Sequence, residues 1–245
     1  MIRLIEETHK YVNDQYPNIK YTSVTTLLGE YKNPFDEDYH AQRVANRKGV
    51  SKESIIAEWR NLNRLANEYG TNLHKIMERF LLAPKRLYSP IDEFETKVIN
   101  AFIKVCQDEN LSLLKSDTIN AERIMSIEFN DKLGIAGTSD IIEDLPYNKF
   151  NVLDYKTNKS FNYESKYGDY LRFPVSHLGE CQYNDYALQI SIYGLMYERE
   201  TKRKFNRGGL FVWDKHTETF KLVPVPYMKK EAEMIIDHYK YSLGI

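Results

Sequence analysis

The chain has 245 residues, 42% of them hydrophobic and 13% aromatic, enough for one packed domain, and a formal net charge of −1 that supplies no global attraction for nucleic acid. Two cysteines, Cys106 and Cys181, are too few for a disulfide framework, a zinc cluster or an iron–sulfur cluster held by four thiolates. No stretch reaches the ~18 apolar residues of a membrane span, and "MIRLIEETHKYV" lacks the apolar core of a signal peptide, so a soluble, cytoplasmic protein without a membrane partner is expected.

In chain order, "IRLIEETHKYVN" alternates enough to predict a strand and turn, and "YTSVTTLLGEY" predicts a short helix capped by Ser23. From Phe35 to Ala83 the pattern is mainly helical, with one helix predicted to end at Gly70 and another to begin at Thr71. A further helix is expected from about Ser89 to Asn110, because Phe94, Val98, Ala101, Phe102 and Val105 recur at helical spacing. The period then changes. "TINAERIMSIEF", "LGIAGTSDII" and "KFNVLDYK" predict three largely antiparallel strands separated by turn material. An aromatic-rich loop follows, then a helix over "NDYALQISIYGLMYERETK" that is apolar almost all round, two strands ("GGLFVWD", "TFKLVPV") and an amphipathic helix. The predicted fold class is α/β: a mixed central sheet flanked by helices. It divides into a mainly helical part over residues 1–115 and a core over 116–245, within one compact domain.

Within "LDYK", alternation puts Asp154 and Lys156 on one face of the strand and Leu153 and Tyr155 on the other. Asp140 is read as closing the preceding strand. If the two strands pair, both carboxylates can converge on one ion, and hard oxygen donors favour Mg²⁺ or Mn²⁺ over zinc. A cation beside such a site suits phosphodiester cleavage, in which it steadies transition-state charge. By itself the short D-x-K pattern more often describes a surface Asp–Lys pair on an exposed strand.

"YGTNLHKIMERF" places His74 and Glu78 four apart on one helical face, with Leu73, Ile76, Met77 and Phe80 on the packing side. His74 could add a nitrogen ligand, with Glu78 holding its other ring nitrogen or a water; a solvated His/Glu pair is the plainer alternative. Glu122 and Glu128 share a strand, and Glu122 is the better candidate to face the site. On the apolar helix, Gln189 and Tyr193 share a face: they either grip a phosphate or form core hydrogen bonds. A non-haem iron enzyme would need a second histidine spaced with His74, and His9, His40, His177, His216 and His238 show no such pattern.

The succession "SVTTLL", "GTNLHKIME", "AE…GIAGTSD", "LDYKT" and "QISIYGLMYE" resembles the RecB-like branch of the PD-(D/E)XK nuclease superfamily, especially the mitochondrial genome maintenance exonucleases and their phage relatives, over about Thr22 to Val225. The resemblance implies a restriction-endonuclease-like core. It assigns one or two Mg²⁺ or Mn²⁺ ions to His74, Asp140, Asp154 and the Tyr155 carbonyl, catalytic roles to Lys156 and the two aspartates, and an acidic role to Glu122. Gln189, Tyr193 and Thr157 would then meet substrate. Asp154 stands where the superfamily often has Glu, and the loop from Asn158 to Gln182 is longer than in the mitochondrial proteins. The relatives with an iron–sulfur cluster need four cysteines, so none is expected here.

The expected activity is a metal-dependent DNA exonuclease acting on single strands or free ends in recombination, repair or degradation, in a bacterial or phage-infected cell. A structure-specific endonuclease on the same core and a silent nucleic-acid-binding protein are the alternatives. Phe161, Tyr163, Tyr167, Tyr170 and Phe173, interleaved with Lys159, Lys166 and Arg172, are candidates to hold single-stranded DNA by stacking and phosphate contacts, unless the aromatics pack on the core. Arg43, Arg47, Lys48, Arg60 and Arg64 could line an arch that admits a threaded end.

Overall fold

The computed structural model describes residues 2–5, 7–8, 10–83, 88–114, 119–157 and 161–245. Lys159, His9 and the start of the aromatic loop at Asn158 lie outside the described residues. Strands β1 (Ile2–Ile5) and β2 (Lys10–Asn13) form a separate antiparallel hairpin, and β3 (Lys20–Ser23) leads into α1 (Val24–Gly29), whose first turn is capped by the Ser23 hydroxyl on the Thr26 N–H. Helix α2 (Glu37–Lys48) starts at Asp36 and stops at a left-handed Gly49.

Helix α3 runs unbroken from Lys52 to Leu82, through the expected break at Gly70 and Thr71. Gly70 has another use. A Cβ placed there would meet Thr157 Oγ1 at 3.3 Å, so the missing side chain lets the helix pass close to the end of a strand. Helix α4 (Glu93–Asp108) is shorter than the predicted span at both ends; at its start Asp92 caps it by accepting the Glu95 N–H.

The core strands are β4 (Ile119–Glu128), β5 (Leu133–Leu145) and β6 (Lys149–Lys156), followed by α5 (Gln182–Thr201), β7 (Lys204–Asp214), β8 (Thr219–Val225) and α6 (Lys229–Ser242). They build a six-stranded mixed sheet of order β3-β5-β6-β7-β8, with β4 paired to β5. Pairing is antiparallel for β4–β5, β5–β6 and β7–β8 and parallel for β3–β5 and β6–β7. With helices on both faces this is an α/β architecture consistent with a restriction-endonuclease-like core.

The arrangement around β5 positions the site. One edge of β5 carries β4 from Gly134 to Glu143. The other edge is shared: β3 takes Leu133 to Ala136, and β6 takes Ile141 to Leu145. Between them "GTSD", Gly137 to Asp140, has no strand partner on that side among the described residues. Asp140 therefore lies inside β5 rather than at its end, at the mouth of a fork.

Two apolar clusters clamp the sheet. Leu27, Ile142, Phe150, Val152, Leu188, Ile192 and Ile235 join α1, α5 and α6 to one face. Leu73, Met77, Phe102, Leu153, Tyr155, Phe211 and Trp213 join α3 and α4 to the other. Each such side chain contributes about 1.5–3 kcal/mol on burial. At Gly137 a Cβ would lie 2.5 Å from Tyr193 Cε1 and 2.9 Å from Val24 Cγ2, so α5 sits directly on the fork. Gly137→Ala should cost about 1–3 kcal/mol in urea denaturation, whereas Gly29→Ala, with open space at its Cβ, should cost far less.

Candidate active site at the fork of the sheet

After the pair Ile141↔Leu153 the β5–β6 ladder stops. The next donor on β6, the Tyr155 N–H, goes to a side chain instead of a carbonyl: Asp140 Oδ2 accepts it at 2.7 Å. Asp140 thus replaces a ladder acceptor while its other oxygen, Oδ1, lies 3.4 Å from His74 Nδ1. His74 is presented by α3, whose Leu73, Ile76 and Met77 are buried and fix that face inward. Its ring meets Tyr155 edge-on with centroids 5.7 Å apart.

Glu122 completes a group. In the β4–β5 register it falls between Ala121↔Ile141 and Arg123↔Ser139, opposite Asp140, and its backbone is left-handed with φ of 49°. A non-glycine residue held there costs about 1–3 kcal/mol and needs surrounding structure to enforce it. Ligand atoms of His74, Glu122 and Asp140 all lie within 4.8 Å of one another.

Asp154 and Lys156 share the other face of β6, as alternation predicts. Lys156 Nζ is 2.5 Å from Asp154 Oδ2, 3.4 Å from Gln189 Oε1, and 4.5 Å from the centroid of the Tyr186 ring. Gln189 Nε2 donates to Tyr193 Oη at 3.1 Å. The Lys156 ammonium is the partner of the buried Asp154 Oδ2.

The charges are unevenly matched. Asp140 and Asp154 are 8% and 2% exposed. Burial opposes ionisation of Asp140, but the His74 imidazolium offsets it and holds the acid below its ordinary range. Burial and the Asp140 charge push Asp154 up. Burial disfavours the His74 cation, yet Asp140 more than compensates and raises its pKa to about 9. Burial, then Asp140, push Glu122 up to about 8. Lys156 is desolvated, but Asp154 and Asp140 keep it an ammonium.

Several predicted residues lie apart from this group. Glu78 is half-buried and makes no hydrogen bond to His74 among the described residues; it acts on Glu122 through its charge. Glu128 accepts from the Tyr21 hydroxyl instead. Thr157 lies against Gly70. Tyr167, Tyr170 and Phe173 are 76%, 60% and 69% exposed. Arg172 is exposed, and its backbone N–H donates to the Tyr31 carbonyl. Lys48, Arg60 and Arg64 are neutralised by Glu58, Glu37 and Glu68.

Three neighbours were missed in the sequence. Tyr186, three residues before Gln189 and seven before Tyr193, shares their helical face and could have been found by that spacing. Tyr11, whose hydroxyl is 3.0 Å from Thr138 Oγ1, and Thr138 itself meet across 127 positions, which no local pattern reveals.

The free protein should lose stability as pH rises. Glu122 and His74 have folded pKa values above their unfolded ones, so the native state holds extra protons from about pH 4.5 to 9 and gives them up across that window. In chelator, the melting temperature should fall from pH 5 to pH 8, and less in Glu122→Gln. A flat profile in both proteins would contradict the charge assignment.

No model of a known protein family matches the chain, and no curated protein matches it. Among solved structures, the chain is similar to SSO0001 at 14% identity, covering 94% of this chain and 76% of that one with a TM-score of 0.37. It is also similar to a "Putative exonuclease" from Eubacterium rectale at 13% identity, covering 99% and 86% with a TM-score of 0.44.

Proposed function

We propose that the protein is a divalent-metal-dependent deoxyribonuclease of the RecB-like PD-(D/E)XK type, acting as an exonuclease on single strands or DNA ends. The observation that carries this is the convergence of His74, Glu122 and Asp140 beside an Asp154–Lys156 pair in the sheet fork. The donor set fits a hard cation: three carboxylates face one lysine and one imidazole, and Glu122 is forced toward its neutral form. Oxygen donors suit Mg²⁺ or Mn²⁺, and the imidazole favours Mn²⁺.

His74, Glu122 and Asp140 would hold the ion, with Asp154 next to them. When bound, the ion supplies a water of lowered pKa and charge neutralisation at the phosphate. Lys156 is too firmly protonated to serve as a base. Its ammonium orients the nucleophile and meets charge that develops on the phosphate. Gln189 holds that ammonium from one side while Tyr186 covers it from another, so Lys156 is positioned before substrate arrives.

One observation favours a second reading, an endonuclease on the same core. The cations expected to line a threading arch are mostly neutralised by acids, which leaves Arg43 and Arg47 without an acidic partner among the described residues. A covalently closed circle cut as fast as a linear strand would select that reading.

End-labelled single-stranded, duplex and circular DNA, with Mg²⁺, Mn²⁺ or chelator, test the proposal. Cleavage should need metal, and Lys156→Ala should lower kcat about 10²–10³-fold, the scale of one transition-state donor. Undiminished hydrolysis in chelator or in Lys156→Ala would overturn it. Because His74 and Glu122 carry protons at neutral pH, Mn²⁺ uptake should release protons, and its affinity should rise from pH 6 to 9 in calorimetric titrations. Replacing Tyr167 and Tyr170 by Ala should weaken single-strand binding more than duplex binding, at about 1–3 kcal/mol per stacked base.

A further inference from the structure

A groove beside the site has no role in the chemistry above. It lies at the carboxyl ends of the parallel strands β6 and β7, where open α/β sheets take ligands. About 260 Å³ is enclosed by Thr157, Phe161, Tyr163, Val212 and the β7–β8 hairpin. That is below the roughly 300–1,000 Å³ of drug-sized pockets, and suits one planar ring.

Strand register ties the groove to Lys156. Lys156 pairs with Val212 across β6–β7, and Val212 pairs with Lys221 across β7–β8. Directly opposed residues project to the same face, so the three form one row, with strands about 4.7–4.9 Å apart. Lys221 therefore stands about 10 Å from Lys156 along that row.

The charge around the groove differs from that of the helical part. Lys215, His216 and Lys221 are exposed, and neither lysine forms an ion pair with an acidic side chain among the described residues. The one acid at the rim, Asp214, is occupied within the turn, where it accepts the His216 and Thr217 N–H groups. The opposite wall is aromatic. Phe161 packs on the core and meets Tyr163 edge-on at 4.9 Å between centroids, and Tyr183 supports Tyr163 at 5.3 Å. Tyr163 is nonetheless 57% exposed, so part of its surface is open.

We propose that this groove is a nucleotide subsite: it takes an unpaired base of the strand whose phosphodiester lies at Lys156, with Tyr163 against the base and Lys215 and Lys221 on the flanking phosphates. The position of the scissile bond rests on the nuclease reading. The ligand class, an aromatic ring flanked by phosphates, rests on the groove alone.

Fluorescence anisotropy of a labelled oligothymidylate, in chelator so that nothing is cut, tests it alongside cleavage of the same strand by the wild-type protein with Mn²⁺. Tyr163→Leu should weaken binding about fivefold to a hundredfold, the loss of one stacked base. Tyr163→Phe should restore it, which separates stacking from misfolding. Lys221→Ala should reduce the slope of log affinity against log salt by about 0.7, one phosphate contact on a single strand. If the wild type cleaves the strand but Tyr163→Leu and Lys221→Ala bind it unchanged, the subsite is wrong and the nuclease reading survives. If binding falls as expected but no metal supports cleavage, the subsite stands and the nuclease reading fails. Polyglutamate that displaces the strand from wild type and Tyr163→Leu equally well would mark an acidic-peptide surface and overturn the proposal.

Discussion

The site depends on one hydrogen bond, from the Tyr155 N–H to Asp140 Oδ2. Had a β5 carbonyl taken that donor, the β5–β6 ladder would have continued past Leu153 and buried the two acids between paired strands. A carboxylate in its place satisfies the backbone while the strands part. It also leaves a charge where burial makes charge costly, and that cost has to be met locally. Two cations meet it from different elements. His74 reaches Asp140 from α3, and Lys156 reaches Asp154 from its own strand. Glu122 is less well matched: His74 lowers its pKa, but burial and then the Asp140 charge outweigh that and push it up to about 8.

The geometry holds because both faces of the sheet press on the fork. On one face Tyr193 of α5 covers Gly137, and the same helix supplies Gln189 to Lys156. On the other, α3 passes Thr157 at Gly70 and continues without a break, so the turn carrying His74 is fixed by 31 residues of helix rather than by a short one. Two glycines thus act as points of close approach, and each places a different layer against the site.

These two glycines also show where the sequence was readable. The three meander strands, the apolar helix and the Asp154–Lys156 alternation follow from local periodicity, and the structure has them. Gly70 looks like a helix terminus in one dimension because its reason to be small, Thr157, lies 87 positions away. β3 was missed because four residues, half-exposed and preceding a capped helix, carry little period of their own; pairing with β5 makes them a strand. Asp140 reads as the close of a strand, whereas it lies inside β5, because the fork that leaves it without a strand partner on one side among the described residues is a tertiary feature. Glu122 joins the group through a left-handed backbone that no sequence pattern announces.

The charge pattern at the fork bears on how a polyanion could approach. A phosphodiester arriving at Lys156 meets Glu122, Asp140 and Asp154 with one ammonium among them, and His74 already committed to Asp140. In the free protein Glu122 relieves the repulsion by keeping its proton near neutral pH. A phosphate adds negative charge that this proton cannot balance, whereas a divalent cation among the same carboxylates can. Under the proposed function, cation and substrate each offset a charge the other leaves exposed, and linkage then requires each to raise the affinity of the other. Under the same proposal the lysines of the β7–β8 hairpin, without an ion-pair partner among the described residues, fit this logic: with the site itself acidic, positive charge that would draw a strand in has to stand beside it, and the register of β6, β7 and β8 sets it about two strand spacings away.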